Sequence, residues 1–250
     1  MFKIRWLLAF IGLLLPTLAL SEDHTLGLYV GVGTFKYDVK GEIGAGAEPV
    51  ELGTDLNLGD EQKTLYYLDF DHNFPLLPKF RLESMDVDVN GTAELLRDIS
   101  FNGTNFTPPA ALQSRFEWTQ LNAALYYTLV DIADLQLDLG ISLRQIEGEV
   151  EIVSSLSQTN IDFDETLPLL YSKFRFDMYS GWWIGAELHG AAFSDNQILD
   201  TNIKLGWETE YGLGLEVGYR ELQIELEDLG DITESDVELS GPYFGLNFRI

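Results

Sequence analysis

The sequence predicts an all-β chain that crosses a membrane as a closed antiparallel barrel of ten strands, with eight as the alternative count. Three observations predict it. From Leu26 to the last residue, apolar and polar residues alternate with a period of two, the pattern of strands with two unlike faces. Past the N-terminal Trp6–Leu15 run, no apolar stretch approaches the ~20 residues of a spanning helix, so a membrane-resident chain crosses as strands. Connections between the stretches alternate long and short, which suits a barrel with long loops at one rim and tight turns at the other.

The first strand is expected near Leu26–Phe35, with Leu26, Leu28, Val30 and Val32 opposite Gly27, Tyr29, Gly31 and Gly33. A Gly- and acid-rich loop, Gly41–Lys63, follows. The second strand, Thr64–Asp71, puts Tyr66, Leu68 and Phe70 on one face. Phe74-Pro-Leu-Leu-Pro78 is a turn, because proline is excluded from strand interiors. The third strand, Lys79–Val89, shows a phase slip near Ser84. Asn90–Ser114 is the second long loop, and its Asn-Gly pairs at 90–91 and 102–103 predict turns and a small hairpin.

The fourth strand, Arg115–Leu129, alternates Leu121, Ala123, Leu125, Tyr127 and Leu129 with polar residues. After a turn at Val130–Asp134, the fifth is the clearest: Leu135, Leu137, Leu139, Ile141 and Leu143 against Gln136, Asp138, Gly140, Ser142 and Arg144. Glu147–Thr166 reads as an acidic loop with strand extensions. Strands six to nine are expected at Leu167–Met178, Trp182–Ala191, Leu199–Glu208 and Leu213–Leu222. Turns fall at Tyr179–Gly181 and Glu210–Gly212, with an intermediate connection at Ala192–Ile198. Glu225–Glu238 is the last acidic loop. The tenth strand ends the chain, with Phe244, Leu246, Phe248 and Ile250 opposite Tyr243, Gly245, Asn247 and Arg249. An unpaired apolar edge aggregates, so this strand is expected to pair with the first and close the barrel.

A soluble barrel alternates too, so the direction of the apolar face has to be argued. Phe70, Tyr127, Phe176, Trp182, Trp207 and Phe248 lie on apolar faces close to the short turns or the C-terminus, as an aromatic girdle at one membrane interface does. Glycines sit on the polar faces, where a crowded narrow lumen needs space. Both features turn the apolar side towards lipid. Lys3 and Arg5, the ten-residue apolar run, Pro16, and Ala19 and Ser21 at the −3 and −1 positions make a secretory signal peptide over 1–21, cut between Ser21 and Glu22. The barrel domain is then 22–250, and the address is the cell outer membrane of a Gram-negative bacterium. Outer-membrane lipid, lipopolysaccharide and the barrel-assembly machinery follow as expected partners. The net charge of −26 argues against nucleic acid, and the absence of cysteine excludes disulfides and thiolate metal sites.

By parity, Arg81, Arg144, Lys173, Arg175, Lys204, Arg220 and Arg249 point inward, together with Asp69, Glu83, Asp138, Asp177, Glu187, Glu208 and Glu216. Buried charges must be paired, so the lumen is expected to be filled by structural ion pairs; a narrow solute or ion channel is the alternative. A third reading is a barrel enzyme acting on lipid or peptide. His189 is the one histidine placed for it, inward near the outer end of its strand, with Ser194 and Asp195 nearby in sequence. His24 and His72 are not so placed. No cofactor is expected. The acidic loops, including Glu42, Glu48, Glu51, Asp55, Asp60 and Glu61 in the first and Glu225–Glu238 in the last, are expected to be solvated. Divalent-cation binding there is the alternative.

Several stretches together resemble an uncharacterised family of proteobacterial outer-membrane barrels of about this length. They are Thr25–Gly33, Phe74-Pro-Leu-Leu-Pro78, Leu167-Pro-Leu-Leu-Tyr-Ser-Lys-Phe-Arg-Phe-Asp177, Gly212–Arg220 and Gly241–Phe248. The Pro-Leu-Leu-Pro turn and the Leu-Pro-Leu-Leu-Tyr strand start are the most specific. The resemblance implies a signal peptide plus barrel and carries no activity or site residues. Ile250 departs from the terminal Phe usual there.

Overall fold

The computed structural model describes residues 26–44, 49–72, 74, 76–193, 196–229 and 232–250. The signal segment with its Ser21–Glu22 junction, His24, Glu48, Ser194, Asp195 and Asp231 lie outside the described residues. In chain order the strands are β1 (Leu26–Gly44), β2 (Val50–Glu51), β3 (Glu61–His72), β4 (Lys79–Glu94), β5 (Ile99–Phe101), β6 (Thr104–Phe106) and β7 (Ala111–Ile132). There follow β8 (Leu135–Val153), β9 (Gln158–Asp177), β10 (Trp182–Phe193), β11 (Asn196–Glu208), β12 (Leu213–Leu229) and β13 (Ile232–Arg249). β2, β5 and β6 belong to loops at the outer rim. The other ten strands pair antiparallel in sequence order, and β13 returns to pair with β1. Closure sets Val30 opposite Phe248 and Gly33 opposite Gly245. It extends to the last residue, whose N–H donates to the Leu28 carbonyl at 2.9 Å. Among the described residues the barrel has ten strands, not eight, and no unpaired edge.

The barrel has two storeys of opposite polarity. In the lower one, towards the short turns, the exposed outer face carries residues such as Val30, Leu125, Leu139, Leu205 and Leu246, while Asp69, Arg81, Arg144, Glu187 and Arg220 are buried inside. In the upper one the buried interior is apolar, with Phe35, Val39, Val87, Phe116, Trp118, Val150, Ile161, Ile224 and Val237. There the outer face is charged, with Asp38, Asp86, Glu149, Asp162, Glu225 and Asp236. Leu135–Leu143 spans the apolar belt on β8. At ~3.3 Å per residue and a tilt of about 40°, that stretch is roughly 20 Å tall, close to the apolar band of an outer-membrane barrel. The strand then continues to Val153, by the same arithmetic about 25 Å beyond the belt.

This inversion corrects the sequence reading at several points. The phase slip expected near Ser84 is absent: β4 runs in unbroken register from Phe70↔Phe80 through Met85↔Gln120 to Glu94↔Ala111. The inward parity simply changes character, from Arg81 and Glu83 to Met85, Val87 and Val89. The expected acidic loop Glu147–Thr166 is almost entirely the upper halves of β8 and β9, joined by a tight turn in which Ser154 caps Ser157. The described part of the last acidic loop is likewise strand, whereas the first is strand only at 41–44, 50–51 and 61–63, with turns and irregular backbone over 52–60. Asn90-Gly91 makes no turn but lies inside β4, where a Cβ on Gly91 would sit 2.1 Å from the Leu56 carbonyl oxygen. Asn102-Gly103 does turn, both residues at positive φ, between β5 and β6. Leu52, Leu56, Leu58, Leu95, Ile99, Phe101 and Phe106 from the two outer loops are buried in the same apolar cluster and cap the barrel.

Phe70, Tyr127, Phe176, Trp182, Trp207 and Phe248 all lie on the outer face near the short-turn rim. Trp182 stands opposite Trp207, and the Tyr127 hydroxyl donates to the Leu76 carbonyl at 3.1 Å. On the inner face, glycine makes room for large rings. A Cβ on Gly206 would come within 2.1 Å of the Trp183 ring, which lies across the wall at that point.

Candidate functional site

The lumen gathers the residues that carry chemistry, and it does so in layers. At the short-turn rim a polar cavity of about 270 Å³ is lined by Tyr29, Asp71, Lys173, Arg175, Trp183, Glu208 and Arg249, among others. Arg175 pairs with Asp177 at 2.8 Å and Glu208 at 3.4 Å, and its guanidinium lies 4.6 Å over the Trp183 ring. Arg249 reaches Glu208 at 3.4 Å.

Deeper, Arg81 bridges three carboxylates: Asp69 at 2.6 Å, Glu187 at 2.7 Å and Glu83 at 3.2 Å. Lys173 reaches Asp69 at 3.3 Å, and Lys204 lies between Glu187 at 3.3 Å and Glu216 at 3.6 Å. Glu216 also accepts hydrogen bonds from Tyr67 (3.0 Å), Tyr243 (3.2 Å) and Asn247 (2.8 Å). The next layer centres on Asp200. Arg220 grips it through Nε at 3.0 Å and Nη2 at 2.8 Å, and also reaches Glu83 at 2.7 Å. Arg144 holds Asp200 from the other side, and its Nε donates to Asn122 at 2.9 Å. Neighbouring strands make this possible, because period two delivers one inward side chain at each height and the register sets acid beside base. Ions removed from water need this degree of pairing and hydrogen bonding to persist.

The sequence reading placed Arg81, Glu83, Arg144, Lys173, Arg175, Asp177, Glu187, Lys204, Glu208, Glu216, Arg220 and Arg249 in lumen ion pairs, and each has an oppositely charged partner in the structure. Asp138 departs from that expectation. It is buried in the lumen, but it accepts from Thr128 at 2.6 Å and from Gln136 at 2.9 and 3.0 Å, and among the described residues no base pairs with it. Lys173, its partner across the strands, extends to Asp69 instead. Asp200 was missed. It continues the inward parity of Asn202 and Lys204, so the alternation did signal it.

His189 lies at mid-barrel, not near the rim, because β10 and its neighbours extend further than expected. Its Nδ1 lies 3.0 Å from the Ser142 hydroxyl, and its Nε2 is 3.5 Å from Glu187. A serine, a histidine and a carboxylate in one chain of contacts are the parts of a nucleophilic triad. Here Ser142 is 1% and His189 4% exposed, beneath the apolar storey, and a nucleophile must meet its substrate. His72 clips the short turn after β3, with Nε2 3.1 Å from the Pro78 carbonyl and Nδ1 accepting from the Phe74 N–H. Among the described residues no group of three carboxylates or histidines is arranged to hold a metal ion.

A closed ten-stranded barrel with a lipid-matched apolar belt and a polar lumen defines a Gram-negative outer-membrane β-barrel protein. No protein family matches the sequence, and no curated protein does. Among solved structures, the chain is similar to the outer-membrane protease OmpT from Escherichia coli, at 9% identity and TM-score 0.52, covering 93% of this chain and 99% of that one. Also similar are the attachment invasion locus protein Ail of Yersinia pestis (10% identity, 90% and 99% coverage, TM-score 0.37) and Neisserial surface protein A (12% identity, 88% and 96% coverage, TM-score 0.36). At these identities the likeness is one of fold.

Proposed function

We propose that this protein is a non-conducting barrel whose work is done at its outer face, as a structural element or an interaction platform of the outer membrane. The observation that carries this reading is the apolar upper storey. A transport path has to remain wet, yet Phe35, Phe116, Trp118, Leu222 and Leu239 are buried across the interior above the ion-pair layers, and the capping loops bury Leu52 and Phe101 over them. In this reading acyl chains surround the apolar belt, and the acidic outer wall rises among lipopolysaccharide headgroups. Divalent cations would bridge carboxylates there to phosphates.

Single-channel recording on refolded protein in a planar bilayer tests it. The expected record is flat across a wide voltage range. Discrete, reproducible openings would overturn the proposal in favour of a narrow channel.

A further inference from the structure

Among the described residues, the layer just beneath the apolar storey has more unpartnered hydrogen-bond donors than unpartnered acceptors. Arg144 and Arg220 share Asp200 through Nη2, while Glu83 takes the other bond of Arg220. Asn122 lies beside both Glu83 and Arg144 in register, and its Oδ1 accepts from Arg144, which fixes the amide with Nδ2 pointing elsewhere. Gln120 is the next inward residue above Asn122, and Asn202 stands opposite Arg220. All seven residues are at most 6% exposed.

Arg144 Nη1, Arg220 Nη1, Asn122 Nδ2 and Gln120 Nε2 are buried donors without a partner. In the same layer the unpartnered acceptors among the described residues are Gln120 Oε1 and Asn202 Oδ1. An unpaired buried polar group costs about 1–3 kcal/mol, and charged donors cost more. Above, the Phe35 ring lies 5.9 Å from the Arg220 guanidinium, and all four donors are buried. Two of the four belong to guanidinium cations. Water would bring as many donors as acceptors to a layer already rich in donors, whereas an anion brings acceptors alone.

The geometry points to a buried site for a small monovalent inorganic anion of halide size, held by the free Nη1 groups of Arg144 and Arg220 with the amides of Asn122 and Gln120. The anion completes the polar layer on which the apolar storey rests.

Bromide and chloride are the probes, and full-length mature protein refolded in detergent is the material. Crystals grown in sodium bromide, measured at the bromine absorption edge, are expected to show an anomalous peak against Arg144 and Arg220. Thermal unfolding is expected at higher temperature in chloride or bromide than in gluconate at equal ionic strength. Water density without a bromide peak, together with midpoints indifferent to the anion, overturns the proposal. Asn122→Asp exchanges a donor for a charged acceptor of nearly equal size and is expected to weaken halide binding by at least about tenfold. Heat-modifiable gel mobility reports whether that variant folds, and Gln120→Glu is the second variant if it does not. Undiminished halide binding in either folded variant also refutes the site, and the bromide measurement on the unaltered protein decides alone if neither folds.

Discussion

One strand suffices to test the two-storey architecture. Leu139, Glu149 and Val150 all lie on β8. Leu139 is the central one of five outward apolar residues from Leu135 to Leu143, so it sits about 10 Å from either edge of the belt. Arginine at a bilayer midplane costs roughly 2–4 kcal/mol. At about 1.4 kcal/mol per decade, Leu139→Arg should lower the folding equilibrium constant by roughly 30- to 1,000-fold. Glu149 shares that outward parity but stands above the belt, between Glu117 and Asp162 on the neighbouring strands. Glu149→Arg replaces a like-charge contact with attraction, and the change should be within about 0.5 kcal/mol of neutral or slightly stabilising. Val150 is buried between Phe116 and Ile161. Val150→Arg puts an unpaired charge into the apolar storey and should cost as much as Leu139→Arg or more. Reversible urea unfolding in lipid vesicles, followed by tryptophan fluorescence, measures all three. If Glu149→Arg is as damaging as Leu139→Arg, or Val150→Arg is harmless, the inverted upper storey is wrong.

Three further outcomes follow. Arg81→Met leaves Asp69, Glu83 and Glu187 without their shared cation and should destabilise by about 3–5 kcal/mol, read as a lower urea midpoint. Phe116→Ala should cost about 3–5 kcal/mol through the cavity it leaves, yet the bilayer record should stay flat because the ion-pair layers below remain in place. At the outer rim, partial burial first, and then the carboxylates of Glu51, Glu234 and Asp236, push the Glu42 carboxyl above its ordinary value, against a lowering by Arg97. A raised carboxyl stabilises the fold at low pH, and that contribution is lost as pH climbs from the ordinary carboxylate range through the raised value. Glu42→Gln should therefore raise the unfolding midpoint slightly at neutral pH and flatten its pH dependence, and an unchanged pH profile would show that Glu42 is not strained.

The sequence by itself determined the membrane-spanning barrel. In Leu135–Arg144 or Phe244–Ile250 the alternation is strict, the outer solvent is hydrocarbon, and both faces carry their chemistry openly. It also determined closure, since a terminal apolar strand has to find a partner, and its parity grouped the charged residues expected to face the lumen. What it could not decide was where each face meets a new surrounding. Period two says that the two faces of a strand differ. It does not say which face is inside, because that depends on whether lipid or water lies outside at that height. Above the belt the outer solvent becomes water, so Met85 and Val87 turn out to be core and Asp86 and Asp88 surface, on the same parities that carry Arg81 inward and Leu82 outward. Read from sequence, that exchange resembles a phase slip at Ser84 and acidic loops at Glu147–Thr166. Only the paired backbone, with its register unbroken across Ser84, shows one continuous barrel whose interior changes from salt to oil. The meeting of Arg144, Asp200 and Arg220 at one height was likewise decided by strand stagger, which no single strand's sequence contains.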